Sequence, residues 1–172
     1  MIRIRIQAIT RGALTIALVC IFFTVFKGVT NIFNALLVPL VLYGNLLDLR
    51  REERYAILFA LVFLCAIFFK IQVIFTIFYC IIALLLLFIQ RGKWSFPFGV
   101  ILLTLGLSMS FWIAIEATDA LFLTHMGDIM QYALHGNRLA YAGLLVFEGG
   151  FVGTGLLFAA KMLQKRLDRF TK

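Results

Sequence analysis

A carboxylate stands inside an apolar run of this sequence. The stretch YAGLLVFEGGFVGTGLLFAAK, Tyr141 to Lys161, holds Glu148 and no other charged residue before Lys161. A charge at the bilayer centre costs about 2.5–3.5 kcal/mol on insertion scales, and ionisable groups there are functional candidates by default. Such a group contacts a ligand in a polar niche, or, protonated, bonds the backbone of a neighbouring helix. Tyr141, Gly155 and Ala159 share its helical face, seven and eleven residues away. Gly149 and Gly153 form a small-xxx-small pair about a quarter-turn aside, where another helix approaches closely. Those two glycines are therefore candidate interface positions. Lys70, Lys27 and the Ser108/Trp112 face are candidate partners for the carboxylate.

A second constellation lies upstream. Thr104, Ser108, Trp112 and Glu116 recur every four residues, which aligns them on one helical face, and Asp119 continues it. One reading is a ligand wall with an aromatic platform and an acidic rim. The other is that the hydroxyls bond their own backbone, Trp112 packs, and Glu116 marks the water boundary. The ligand-binding candidates are thus Glu148, Tyr141, Trp112, Ser108 and Glu116.

Between Glu116 and Arg138 lies the longest polar joint. Leu121, Phe122, Met126, Ile129, Met130, Ala133 and Leu134 form an apolar stripe, and Asp128, Tyr132 and His135 fall on the other side. The pattern suits an interfacial amphipathic helix or a lid. His125, Asp128 and His135 are metal-ligand types. Their irregular spacing fits titratable surface histidines better than a metal centre, so no metal site is assigned and no cofactor is expected.

These residues sit in a chain that is 63% hydrophobic and 14% charged, with nineteen phenylalanines and two prolines in 172 residues. Soluble domains carry about 25% charged residues. The apolar residues form long unbroken runs, the length a spanning helix needs. Barrel strands alternate in polarity, and these runs do not. The expected fold is an all-α polytopic membrane protein, a compact six-transmembrane-helix bundle in a single domain, residues 1–172. Spans are expected near 9–26, 32–47, 55–70, 72–89, 96–115 and 139–160, with an extracellular amphipathic segment before the last. The second and third are short. Pro97 suits a first helical turn, and Trp94 suits the headgroup belt. Cys20, Cys65 and Cys80 all fall in apolar runs and read as buried hydrophobes. The basic start followed by an apolar run, with no small-residue cleavage site, reads as a retained first helix.

The net charge is +8. Thirteen of the sixteen Lys and Arg residues fall on one side of the expected bundle, and Lys27, Lys70 and Arg138 on the other. The positive-inside rule then places both termini in the cytoplasm of a multi-pass cell-membrane protein. That distribution explains the charge without nucleic acid. The run DLRREER, Asp48 to Arg54, either sets topology or docks a cytoplasmic partner.

The first span contains Ala8-x-x-x-Gly12 and Ala13-x-x-x-Ala17, which make flat faces for helix contact. This A-x-x-x-A patch, six helices and cytoplasmic termini resemble the S components, the substrate-binding membrane subunits of energy-coupling factor transporters. The stretch AITRGALTIAL followed by NALLVPLVLYGN is similar to related uncharacterised bacterial membrane proteins with S-component-like folds. The resemblance covers the first half of the chain. It implies that Ala13 and Ala17 contact a coupling subunit. It also implies a ligand near the outer face, with Glu148, Glu116 and Trp112 as ligand-side residues by position. Residue 2 is isoleucine, so the Met-His start of the cobalt and nickel versions is absent.

The sequence has no nucleotide-binding glycine loop, no H-E-x-x-H and no G-x-S-x-G. No catalytic residue is assigned, and the chain is not expected to be an enzyme. The expected function is substrate capture for a transporter, with other integral membrane subunits and cytoplasmic ATPases as partners. The alternative is a non-catalytic scaffold or accessory subunit of a larger membrane complex.

Overall fold

The computed structural model describes residues 6–26, 31–92 and 94–170, the side chains of Asn31 and of residues 167–170 excepted. Lys27, named above as a partner for Glu148, lies outside them. So do Arg3, Arg5, Lys93 and Lys172 of the charge asymmetry.

The described chain is all-helical. Seven α-helices follow one another: α1 (Ile6–Val25), α2 (Asn31–Leu46), α3 (Arg51–Phe68), α4 (Val73–Arg91), α5 (Phe96–Phe122), α6 (Met126–Ala133) and α7 (Arg138–Phe170). A 3-10 turn, Lys70–Gln72, leads into α4. Four segments are long and apolar enough to cross a membrane: Ile6–Val25, Lys70–Arg91, Phe96–Phe122 and Arg138–Arg166. At about 1.5 Å per residue, twenty residues reach the roughly 30 Å of a hydrocarbon core. Ile32–Leu46 is a shorter apolar helix. α3 carries Arg51, Glu52, Glu53 and Arg54 in its first turn, so its apolar part is short too.

α5 packs most extensively on α7, and α2 sits against α1, α4 and α7. The interior position of α2 shows in its side chains: Ala35, Val38, Leu42, Tyr43 and Leu46 are all fully buried. α3 is peripheral and touches α1 and α4. Its buried stripe, Ile57, Leu58, Leu61 and Cys65, follows the helical repeat, while Phe59, Phe63 and Ile67 face outward.

Helix ends follow local chemistry. Ser95 is extended and Pro97 lies in the first turn of α5. Its fixed φ suits that turn, and its missing N–H would have no intrahelical partner there. Asn137 caps α7: its Oδ1 accepts from the backbone N–H of Leu139 at 3.0 Å and Ala140 at 3.2 Å. Two helices outrun the apolar runs that announced them. α5 continues from 115 to Phe122, and α7 continues from 160 to Phe170. Charged residues end a hydrophobic stretch without ending a helix, so Glu116 and Asp119 belong to α5 and not to a joint.

Candidate functional site

The site is built on the antiparallel contact of α5 with α7. Glycines set its closeness. A Cβ on Gly149 would stand 2.9 Å from the Thr104 carbonyl oxygen, and one on Gly153 would stand 3.2 Å from the Leu103 Cβ. The two glycines thus serve the chain's own α5–α7 seam, with α5 as the helix they admit. Ser108 lies in the same seam. Its hydroxyl donates to the Thr104 carbonyl at 2.8 Å and to the Leu145 carbonyl at 3.1 Å. Its one proton is shared between two backbone acceptors, which makes Ser108 a bridge between helices.

The expected face Thr104–Ser108–Trp112–Glu116 does not stay on one side. Each four-residue step overshoots the 3.6-residue turn by roughly 40°, so the row winds around the helix. Ser108 is buried, Trp112 is half-exposed and Glu116 is exposed. The row reaches the surface where α7 begins. There the Trp112 ring meets the Tyr141 ring edge-on, with centroids 6.4 Å apart.

Tyr141 is 3% exposed, and its hydroxyl has no hydrogen-bond partner among the described residues. Glu116, Asp119 and Glu148 all lie within electrostatic reach of that hydroxyl. The buried stripe of α7 runs through Tyr141, Leu145, Gly149, Val152 and Leu156. Glu148 borders it, half-buried. Lys70 is exposed at the end of α3 and makes no ion pair with it. The structure therefore brings Trp112 and Tyr141 into ring contact, with Glu116 exposed one turn beyond Trp112 and Glu148 about two turns along α7 from Tyr141, and assigns Ser108 to the helix contact beneath them. Thr118, also fully buried, adds a second hydroxyl without a described partner in this half of α5.

α6 closes over this end of the bundle. Asp119 anchors it. One carboxylate oxygen accepts from the Met126 N–H at 2.7 Å and from the Thr124 hydroxyl; the other accepts from the Gly127 N–H at 2.7 Å. A carboxylate at a helix N-terminus satisfies donors that have no intrahelical partner. The tight turn needs left-handed backbone at Leu123 (φ 54) and His125 (φ 56). Met126, Met130 and Leu134 pack on the core. Leu121, Phe122, Ile129 and Ala133, expected on the same stripe, are exposed. Leu121 and Phe122 end α5 and do not belong to α6, while Ile129 and Ala133 fall off the row Met126–Met130–Leu134, the one narrow row that a helix of eight residues buries.

His125 Nδ1 lies 3.2 Å from Asp128 Oδ2, with both side chains largely exposed. His135 stands beyond the other end of α6. The helix between them is about 12 Å long, and no three His, Cys, Asp or Glu side chains are grouped for a metal among the described residues.

The two small-residue pairs of α1 diverge. Ala8 and Gly12 are buried, and a Cβ on Gly12 would sit 3.0 Å from Ile57 of α3. Ala13 and Ala17 are exposed on the opposite side, where no described residue covers them. Sequence reasoning missed the anchoring role of Asp119 and the buried hydroxyl of Thr118. A bond from residue 119 to residues 126 and 127 depends on the intervening turn, and no spacing rule announces it.

No protein-family model, curated protein or solved structure matches the chain.

Proposed function

We propose that this chain is a membrane-embedded subunit that captures a small molecule near one face of the bilayer and docks to other membrane subunits, like the S components it resembles. α1 to α5 and α7 cross the membrane, α6 lies on the outer surface, and both termini are cytoplasmic. The charge asymmetry supports that orientation. So does the gathering of basic groups at one end: Arg11 pairs with Asp48 at 3.2 Å, and Arg54 and Arg91 both donate to the Leu47 carbonyl.

The observation that carries the capture reading is the Tyr141 hydroxyl, buried and without a described partner. An unpaired buried hydroxyl costs about 1–3 kcal/mol. A ligand with a hydrogen-bond acceptor removes that cost, and a cationic or donor group on the same ligand meets Glu148 or Glu116. The Trp112 ring packs edge-on against the Tyr141 ring and is itself half-exposed, so its movement would uncover that ring. Ala13 and Ala17 form the docking face. Small residues there let a partner helix approach closely, and dispersion contacts drive the association.

A second reading is a scaffold subunit. It is favoured by an apolar groove of about 720 Å3 between α2, α5 and α7, walled by Leu36, Val100, Phe147, Phe151 and Phe158. Purification in mild detergent separates the two readings. Substrate capture for a transporter predicts co-eluting subunits that hydrolyse ATP. It also predicts their loss in the Ala13→Leu/Ala17→Leu variant, which still inserts in the membrane. A large assembly without ATPase activity, indifferent to those two substitutions, supports the scaffold and overturns the transporter.

A further inference from the structure

At the end of the bundle opposite Trp112 and Tyr141, four arginines line one cavity. It has a volume of about 480 Å3 and is formed by Arg50, Arg51, Arg54 and Arg91 together with Leu49, Tyr55 and Leu84. No carboxylate lines it. Of the acids nearby, Asp48 pairs with Arg11 at 3.2 Å, the Glu53 carboxylate accepts from the Arg50 N–H at 3.0 Å, and Glu52 is exposed.

The arginines are held close despite their like charge. Arg54 from α3 donates to the Leu47 carbonyl at 3.2 Å, and Arg91 from α4 donates to the same oxygen at 3.4 Å. The Nε of Arg54 is buried and has no partner among the described residues. Arg51 lies over the Tyr55 ring, 5.7 Å from its centroid. Cations gathered on one carbonyl, with a spare buried donor, are arranged for an anion. The planar fork of arginine matches phosphate oxygens two at a time, which a lysine cannot do.

The cavity also has an apolar side. Leu84 lies about two turns inside α4 from Arg91, and Leu49 is buried beside it. A ligand that fits carries its negative charge at one end and hydrocarbon at the other. Trp94, three residues beyond Arg91, suits headgroup depth. Basic pockets between helices at that depth suit anionic lipid headgroups.

We propose that this pocket binds the phosphate headgroup of an anionic membrane lipid, one per chain, from the leaflet that this end of the bundle meets. The proposal rests on the membrane-spanning reading and is independent of any ligand at Tyr141. It also gives the DLRREER run a task beyond fixing topology.

The test is native mass spectrometry of the full chain, delipidated in mild detergent and offered phosphatidylglycerol or phosphatidylcholine. One phosphatidylglycerol is expected to stay bound and phosphatidylcholine to leave. In the Arg54→Lys/Arg91→Lys variant the charge that orients the chain is kept, and retention should fall about tenfold, the value of one charge-assisted hydrogen bond. If that variant does not fold, Arg50→Lys/Arg51→Lys at the exposed rim must show a loss in the same direction. Inorganic phosphate at millimolar concentration should not displace the lipid. Equal retention of both lipids, or retention unchanged in the arginine variants, overturns the proposal. Displacement by inorganic phosphate overturns the lipid and assigns the pocket to a soluble phosphate.

Discussion

The ring of Trp112 on α5 meets the ring of Tyr141 on α7 edge-on, with centroids 6.4 Å apart. The contact sits where the α5–α7 seam opens, one helical turn past the Ser108 bridge. Below it, glycines hold the helices at backbone contact. At the same end of the bundle, Asp119 pins the start of α6. A buried hydroxyl without a partner among the described residues stands beside that ring contact at the end of the seam.

The first prediction concerns that hydroxyl. In the ligand-free protein, Tyr141→Phe removes a buried group that no described residue satisfies. The variant should be more stable than wild type by about 1 kcal/mol, because the desolvation penalty disappears while the ring packing stays. Thermal unfolding followed by circular dichroism checks it. A lower melting temperature would show that the hydroxyl has a stabilising partner in the protein.

The seam itself predicts a sign difference between two glycines of one helix. Gly149→Ala places a methyl against the Thr104 carbonyl and Ser108, where backbone must give way. Overpacking of this kind costs about 1–3 kcal/mol. Gly143 has open space around its Cβ position, so Gly143→Ala should gain up to about 1 kcal/mol from helix propensity. Equal effects at both positions would contradict the close packing of α5 on α7.

Asp119→Ala should loosen α6 alone. The substitution removes three acceptor contacts at the helix start, and a lost cap costs about 0.5–2 kcal/mol. Backbone hydrogen exchange should rise across 123–134 and stay unchanged in α5 and α7. Uniform exchange along the chain would mean that Asp119 supports the bundle and not the cover.

Orientation has its own test. In a cysteine-free background, a membrane-impermeant thiol reagent added outside should label a cysteine placed at Asp128 and miss one placed at Arg51. The reverse pattern would invert every side assignment.

The helices were legible because apolar runs stand out against short polar joints. Their ends were less so. Glu116 and Asp119 stop the hydrophobicity of α5 and leave its backbone helical to Phe122. Facing was legible over one or two turns only, since a four-residue spacing drifts around the helix and carries Glu116 to the surface while Ser108 stays inside. Small-residue pairs announced close contacts without naming the neighbour. Ala8 and Gly12 turn inward, Gly12 against Ile57 of α3, Ala13 and Ala17 turn out, and Gly149 and Gly153 meet α5. The cap by Asp119 was invisible, because it depends on left-handed backbone at leucine and histidine, residues that rarely signal it.

The most direct test of the account is native mass spectrometry of the chain extracted from its own membranes in mild detergent, comparing wild type with Glu148→Gln and Glu148→Leu. The account predicts a bound small molecule on wild type, distinct in mass from lipid. It also predicts that both variants fold and that both lose that molecule, because each removes the charge that meets it. A wild-type chain that carries no such molecule, with a Glu148→Leu variant at least as stable, would contradict the account and leave Glu148 without a role in capture.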